Sequence, residues 1–226
     1  PSGSGLGSSA AVTVAALGVM GQLNGRFSAE DIARQAFDVE SIVQGRASPI
    51  DTSVSTHGQG IFIDSKKGRD LLWDISRDTR RWFVHHCDVP EMTLVIGFTG
   101  IRKPTGPLVA KVKRYADRSS FAKETINEIG AVTLEGADRL KNRDMEALGR
   151  LMTRDHSLLA ILGVSSPELQ RLVDASLPHS YGAKLTGAGG GGSMIALTDK
   201  PEKVAAAIAS RGGIPYVVRT GVDGVK

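Results

Sequence analysis

The sequence holds a single cysteine, Cys87, in 226 residues. That excludes an internal disulfide framework and a zinc site built from several thiolates. Aromatic residues are scarce too, at 5% against 41% hydrophobic residues overall. The core must therefore come from Ala, Val, Ile and Leu, which suits a mixed helix-and-strand chain better than an aromatic-rich sandwich. Long hydrophobic runs are missing: the stretch 10–20 is broken by Thr13 and Gly18 and is too short to span a bilayer. No basic leader with a cleavage site is present, so a soluble, cytoplasmic protein with no membrane partner is expected. A dominant charge is absent as well. The net charge is +4, but the basic residues are interleaved with acids, and even the densest patch, 77–81, contains Asp78. No nucleic-acid partner is expected from that distribution, although a basic surface would help to attract an anionic nucleotide.

What the chain has in excess is glycine. The 27 glycines stand well above a usual share of about 7%, and they cluster at Gly3, Gly5 and Gly7 and again at Gly187 and 189–192. Such clusters mark places where backbone takes positive φ or approaches a partner closely.

Periodicity and punctuation divide the rest. A glycine-rich loop feeds a helix over 8–23, stopped by Asn24-Gly25. Ser28 caps a second helix with Glu30 and Asp31 in its first turn, ending near Gly45. The expected buried stripes are Ala11, Val14, Ala15 and Leu23 on the first helix and Ile32, Ala36, Val39 and Val43 on the second. Residues 46–51 read as a loop, because Pro49 disfavours helix before it. Strands are expected at 60–64 and around 71–74, and a boundary at 88–91. Beyond it come a strand at 92–98, helices at 106–115, 119–140, 144–160 and 167–175, strands at 183–186 and 193–197, a helix at 201–211 and a strand at 216–220. This order implies an α+β fold in two domains, 1–90 and 91–226.

The loop "GSGLGSS" is the strongest local signal. Its glycines let consecutive N–H groups converge on an anion, the following helix adds its positive dipole end, and Ser8 and Ser9 supply hydroxyls for phosphate or Mg²⁺. The plain alternative is a flexible turn that caps a helix. The two commonest nucleotide motifs do not fit. No lysine occurs between Pro1 and Arg34, which excludes a Walker A loop, and position 8 is Ser where a dinucleotide fingerprint needs Gly.

"PSGSGLGSSAA" resembles the second signature of the GHMP kinases, the loop that folds over the ATP phosphates. "KLTGAGGGGS", 184–193, resembles their third signature in its mevalonate kinase form, and "ASPIDTSVSTHGQG" resembles the mevalonate kinase stretch that carries the catalytic aspartate. The three occur in the family's order and cover nearly the whole chain. The resemblance implies an ATP- and Mg²⁺-dependent kinase of the GHMP superfamily acting on the 5-hydroxyl of mevalonate, cytoplasmic and homodimeric. The implied fold has an N-terminal part like domain 2 of ribosomal protein S5 and a ferredoxin-like C-terminal part with extra helices. Gly3, Ser4, Gly5, Leu6, Gly7, Ser8 and Ser9 match the ATP loop. Asp51 matches the catalytic aspartate, and Glu40 and Ser9 match the Mg²⁺-binding positions. Thr105, Gly187 and Ala188 match positions beside the substrate.

Each match has a plainer reading on its own: Asp51 as a turn or cap residue, Glu40 as a solvated helix residue, Thr105 as a cap, and the glycine run as a packing device. The five histidines show no zinc spacing and read as structural or surface residues. Two departures stand out. Ser48-Pro49-Ile50-Asp51 replaces the family's Pro-Ser-Gly-x-Asp, and the first signature, with its active-site lysine, has no match. The resemblance therefore implies further strands upstream of Pro1, and an inactive, poorly folded protein without them. Phosphomevalonate, homoserine or sugar kinases, or a non-catalytic sensor on the same fold, are the alternatives.

Overall fold

The computed structural model describes residues 4–25, 27–44, 47–102 and 105–225; the side chains of Asn24, Gln44 and Thr105 are outside that description. The chain forms two compact units, residues 7–89 with 221–226, and residues 1–6 with 90–220.

The first unit begins with α1 (Ser8–Asn24), α2 (Ala29–Gln44) and α3 (Ile50–His57). Ser28 and Asp31 cap α2 reciprocally: Asp31 N–H donates to Ser28 Oγ at 3.1 Å, and Ser28 N–H donates back to Asp31 Oδ2 at 3.1 Å. The buried face of α1 is Ala10, Val14, Gly18 and Gly21, not the expected Ala11, Ala15 and Leu23, which are exposed. Its glycines explain the choice, because a Cβ at Gly21 would lie 3.0 Å from the Phe27 ring and one at Gly18 would overlap Val225. On α2, Ile32 and Ala36 are buried as expected, but Val39 and Val43 are exposed. The buried face is rotated toward Ala33, Phe37, Glu40 and Ser41, of which polarity alone would have placed Glu40 and Ser41 outside.

Strands β1 (Gly60–Asp64), β2 (Leu71–Arg77) and β3 (Arg80–Cys87) form an antiparallel sheet in the order β1-β3-β2. The sequence reading had stopped β2 early and had no β3. Residues 77–81, read as a basic patch, are the hairpin: Arg77 pairs with Arg80, and Asp78 takes φ 54° between them. Two-residue hairpin turns favour Asp at such left-handed positions. Ala33 and Phe37 pack on Trp73, Ile75 and Val84 of the sheet, with Phe37 edge-on to Trp82 at 5.7 Å.

The second unit contains β4 (Thr93–Phe98), α4 (Thr105–Arg118), α5 (Ser120–Lys141), α6 (Met145–Ile161), α7 (Pro167–Ser176), β5 (Gly182–Leu185), β6 (Ser193–Leu197), α8 (Pro201–Ser210) and β7 (Ile214–Arg219). Its sheet is wholly antiparallel, ordered β5-β6-β4-β7. Helix starts follow the side-chain caps: Ser119, Asp144 and Ser166 accept from Ala122, Ala147 and Leu169 N–H. The core gathers Val95, Leu169, Leu172, Leu185, Met194, Val204 and Ile208 between the sheet and α7 and α8. Residues as buried as Leu169 typically contribute about 2–5 kcal/mol against truncation to Ala. Among the described residues, no helix is long and apolar enough to cross a membrane.

Candidate active site

Two clusters hold the residues singled out by the sequence, one in each unit. In the first unit, Gly7 precedes α1 in the left-handed region, at φ 65° and ψ 21°. No side chain caps α1, so the dipole end is left open to an anion. A Cβ at Gly7 would sit 3.0 Å from Asp51 Cγ and 3.3 Å from Asp51 Oδ1. The end of the glycine loop and the Asp51 carboxyl are therefore in direct contact.

Asp51 does not lie in a loop, as the sequence had suggested, but in the first turn of α3, directly after Pro49 at the N-cap position. Helix propensity is weak over this Thr- and Ser-rich stretch. A tertiary bond ties it to the sheet, Trp73 Nε1 donating to Ser53 Oγ at 3.3 Å, while its buried threonine hydroxyls are satisfied locally, Thr52 Oγ1 donating to Pro49 O at 3.3 Å and Thr56 Oγ1 to Thr52 O at 2.8 Å. Three of this helix's polar residues, Thr52, Ser53 and Thr56, are buried on that account. Asp51 itself reaches the surface, yet burial of its carboxyl pushes its pKa above the usual carboxylate value. A helix N-terminus favours the charged form, so desolvation outweighs the dipole here. Among the described residues no hydrogen bond or ion pair engages the Asp51 carboxyl, which leaves it free to accept a proton.

Glu40 projects from the buried face of α2 and is only 5% exposed. Ser9, exposed in the first turn of α1, accepts from Thr13 Oγ1 at its backbone carbonyl at 3.1 Å. Ser8 is half-buried beside it.

In the second unit, residues 4–6 lie against the second glycine run. A Cβ at Gly5 (φ 75°) would be 3.4 Å from Thr186 O, one at Gly187 (φ 72°) 3.1 Å from Gly5 Cα, and one at Gly192 (φ 76°) 2.9 Å from Ser4 O. Backbone meets backbone, which only glycine permits at this separation and sign of φ. Gly190 N–H donates to Val164 O at 2.7 Å, and Gly192 N–H to Ile101 O at 2.8 Å, so the run also serves the packing role first weighed for it. Ser4 and Ser193 are buried with hydroxyls that have no hydrogen-bond partner among the described residues. Leu6 and Gly187 are exposed, and Ala188 is half-buried.

Gly3 lies outside the described residues. Thr105 opens α4, one residue before the helix start expected from sequence, and its side chain is outside the description. Three further residues gather near the second glycine run: Lys184, which opens the third signature stretch, His156, read as structural or surface, and Asp155, which the sequence did not single out. Lys184 pairs with Asp155 of α6, and His156 binds β5 through Leu185 N–H at 3.2 Å. Asp155 and His156 sit inside the polar run 153–157 of α6, which gives no sequence signal that these two are buried.

The chain matches the GHMP kinases N terminal domain over residues 1–59 and the GHMP kinases C terminal region over 137–213. It is 38% identical to the mevalonate kinase of Pyrococcus furiosus and 38% identical to that of Thermococcus onnurineus, each over 100% of this chain and 66% of the relative. The chain thus spans just under two thirds of the length of these curated relatives. Among solved structures, the L. major mevalonate kinase in complex with R-mevalonate superposes with a TM-score of 0.78 at 27% identity, covering 98% of this chain and 68% of that one. The Methanococcus jannaschii mevalonate kinase gives 0.76 at 30% identity, covering 98% and 66%. With both halves of the family's pattern matched in order along one chain, the chain belongs to the GHMP kinase family.

Proposed function

We propose that this chain carries the phosphate loop, the metal ligands and the base of an enzyme that transfers the γ-phosphoryl group of ATP to the 5-hydroxyl of mevalonate. The observation that carries the reading is the contact between Gly7 and Asp51. It sets a carboxylate with a raised pKa against the end of a phosphate-binding loop, where an acceptor hydroxyl would meet the transferring phosphorus. The hydroxyl oxygen bonds to Pγ, the bond from Pγ to the bridging oxygen breaks, ADP departs, and the hydroxyl proton passes to Asp51. A carboxylate with a pKa nearer neutrality is the better base for that proton. Catalysis of this kind rests on positioning and charge neutralisation. In this reading Gly3, Ser4, Gly5, Leu6, Gly7, Ser8 and Ser9 serve the ATP phosphates, and Thr105, Gly187 and Ala188 serve mevalonate.

The donor set fits Mg²⁺. A Ser9 hydroxyl and a buried Glu40 carboxylate are hard oxygen ligands, and among the described residues no group of three or more His, Cys, Asp or Glu gathers to hold a metal. Phosphate oxygens and water would complete the shell. When bound, the ion neutralises charge on the transferring phosphate. Domains 1–90 and 91–226, a homodimer and a cytoplasmic location belong to the same reading.

The test is ADP release by the full protein against mevalonate, phosphomevalonate, homoserine and galactose. Turnover with mevalonate at least about tenfold above the others is expected. Preference for another acceptor would reassign the substrate, and binding of ATP without turnover on any acceptor would favour a sensor.

A further inference from the structure

β5 is an edge strand of the second unit's sheet. Alternate amides of an edge strand point away from its neighbour and need another acceptor. On β5 those amides belong to Ala183 and Leu185, and side chains of α6 take both. Ala183 N–H donates to Thr153 Oγ1 at 3.3 Å, and Leu185 N–H to His156 Nδ1 at 3.2 Å. The helix can reach so closely because Gly149 of α6 faces Gly182 of β5, where a Cβ on either would overlap the other strand's or helix's backbone. Lys184, between the two bonded amides, pairs with the buried Asp155. One helix therefore acts as the missing neighbour strand for β5.

His156 is the last of these anchors before the glycine run at 186–192. Four glycines in that run have positive φ, so the loop has little conformational preference of its own and takes its position from what holds its ends. The 3% exposed imidazole bridges two groups: Nδ1 accepts from Leu185, and Nε2 lies 3.0 Å from Gln170 Oε1 on α7. Accepting at Nδ1 and donating at Nε2 defines one neutral tautomer. We propose that His156 is a positioning residue that sets the glycine loop 186–192 by holding the Leu185 amide. It touches no reacting atom, and it rests on the proposed function only in giving that loop a role in the reaction.

The charged groups facing His156 are Asp155 on its own helix, Asp174 on α7 and Lys184 on β5. The two carboxylates and the Gln170 bond favour protonation and Lys184 opposes it, but burial is the largest influence and holds the pKa below 6.5. The neutral acceptor is thus the form present at physiological pH.

The experiment is hydrogen exchange on the full protein, without nucleotide, for His156→Asn and His156→Gln. The Asn amide oxygen reaches the place of Nδ1 and keeps the Leu185 bond, whereas the Gln oxygen reaches the place of Nε2 and loses it. In His156→Gln, amides 185–192 should exchange at least about tenfold faster, the scale of one buried hydrogen bond. In His156→Asn they should stay within about threefold of the parent. Equal effects from the two variants, or no change at 185–192 in either, would overturn the assignment. Mevalonate affinity measured alongside separates the two readings. Faster exchange with unchanged mevalonate affinity would uphold the role of His156 and count against the loop's role beside the substrate.

Discussion

Gly7 and Asp51 share one space: the position a Gly7 side chain would fill lies 3.0 Å from Asp51 Cγ and 3.1 Å from its Cβ. The glycine is therefore required twice, once for its φ of 65° and once for the carboxylate it touches.

Replacing Gly7 by Val tests both requirements. A β-branched residue resists the left-handed region, at a cost of about 1–2 kcal/mol, and its side chain would displace Asp51. We expect kcat/KM to fall by at least about 100-fold while the protein stays folded, since loss of a placed acid–base group alone is worth about 10²–10⁴. Steady-state kinetics beside a thermal melt check this. Wild-type ATP affinity and turnover would reduce the loop to a helix start.

Glu40→Gln should raise the Mg²⁺ concentration for half-maximal rate by about tenfold or more, with a smaller change in KM for mevalonate, because it removes charge from the metal shell. A Mg²⁺ titration at saturating ATP is the measurement. An unchanged midpoint would leave Glu40 with a purely structural role on α2.

His57 gives a pH signature. Its Nε2 lies 2.8 Å from His86 Nδ1, and His86 Nε2 lies 3.0 Å from Asp88 Oδ1. Burial first, then the neighbouring His86, hold the His57 pKa below 6.5. The unfolded chain thus binds this proton more readily than the folded one. The stability tied to neutral His57 is fully present above about pH 6.5 and is lost as pH falls through the lower folded value. We expect the urea midpoint to decline between pH 7.5 and 5, and His57→Gln to decline less steeply. Parallel slopes would contradict the assignment.

How much of this was legible in the sequence depends on what each residue answers to. The glycine loop, the Ser28 cap and the helices of the second unit answer to local chemistry and were read within a few residues. Asp51 was singled out by its motif but expected in a loop, because α3 is tied down by the Trp73–Ser53 bond rather than formed by helix propensity. β3 was missed because its arginines looked like surface charge, although the left-handed Asp78 makes them a hairpin. Val39 and Val43 were placed inside because pattern alone cannot show that Glu40 turns the helix the other way. His156 was read no further than structural or surface, because its partners, Leu185 and Gln170, come together only in the folded chain.

The central claim is that Asp51 takes the proton of the acceptor hydroxyl, and Asp51→Asn in the full protein tests it most directly. Burial raises the Asp51 pKa, so its charged form is disfavoured in the folded state. That contribution favours folding below about pH 3.8 and is lost as pH rises through the raised folded value. The neutral Asn should therefore leave the melting temperature at pH 7.5 unchanged or higher. ATP affinity should stay within about threefold, while single-turnover phosphorylation of mevalonate slows by about 10²–10⁴-fold. A stable variant that binds ATP and transfers phosphate within about threefold of the parent rate would contradict the account.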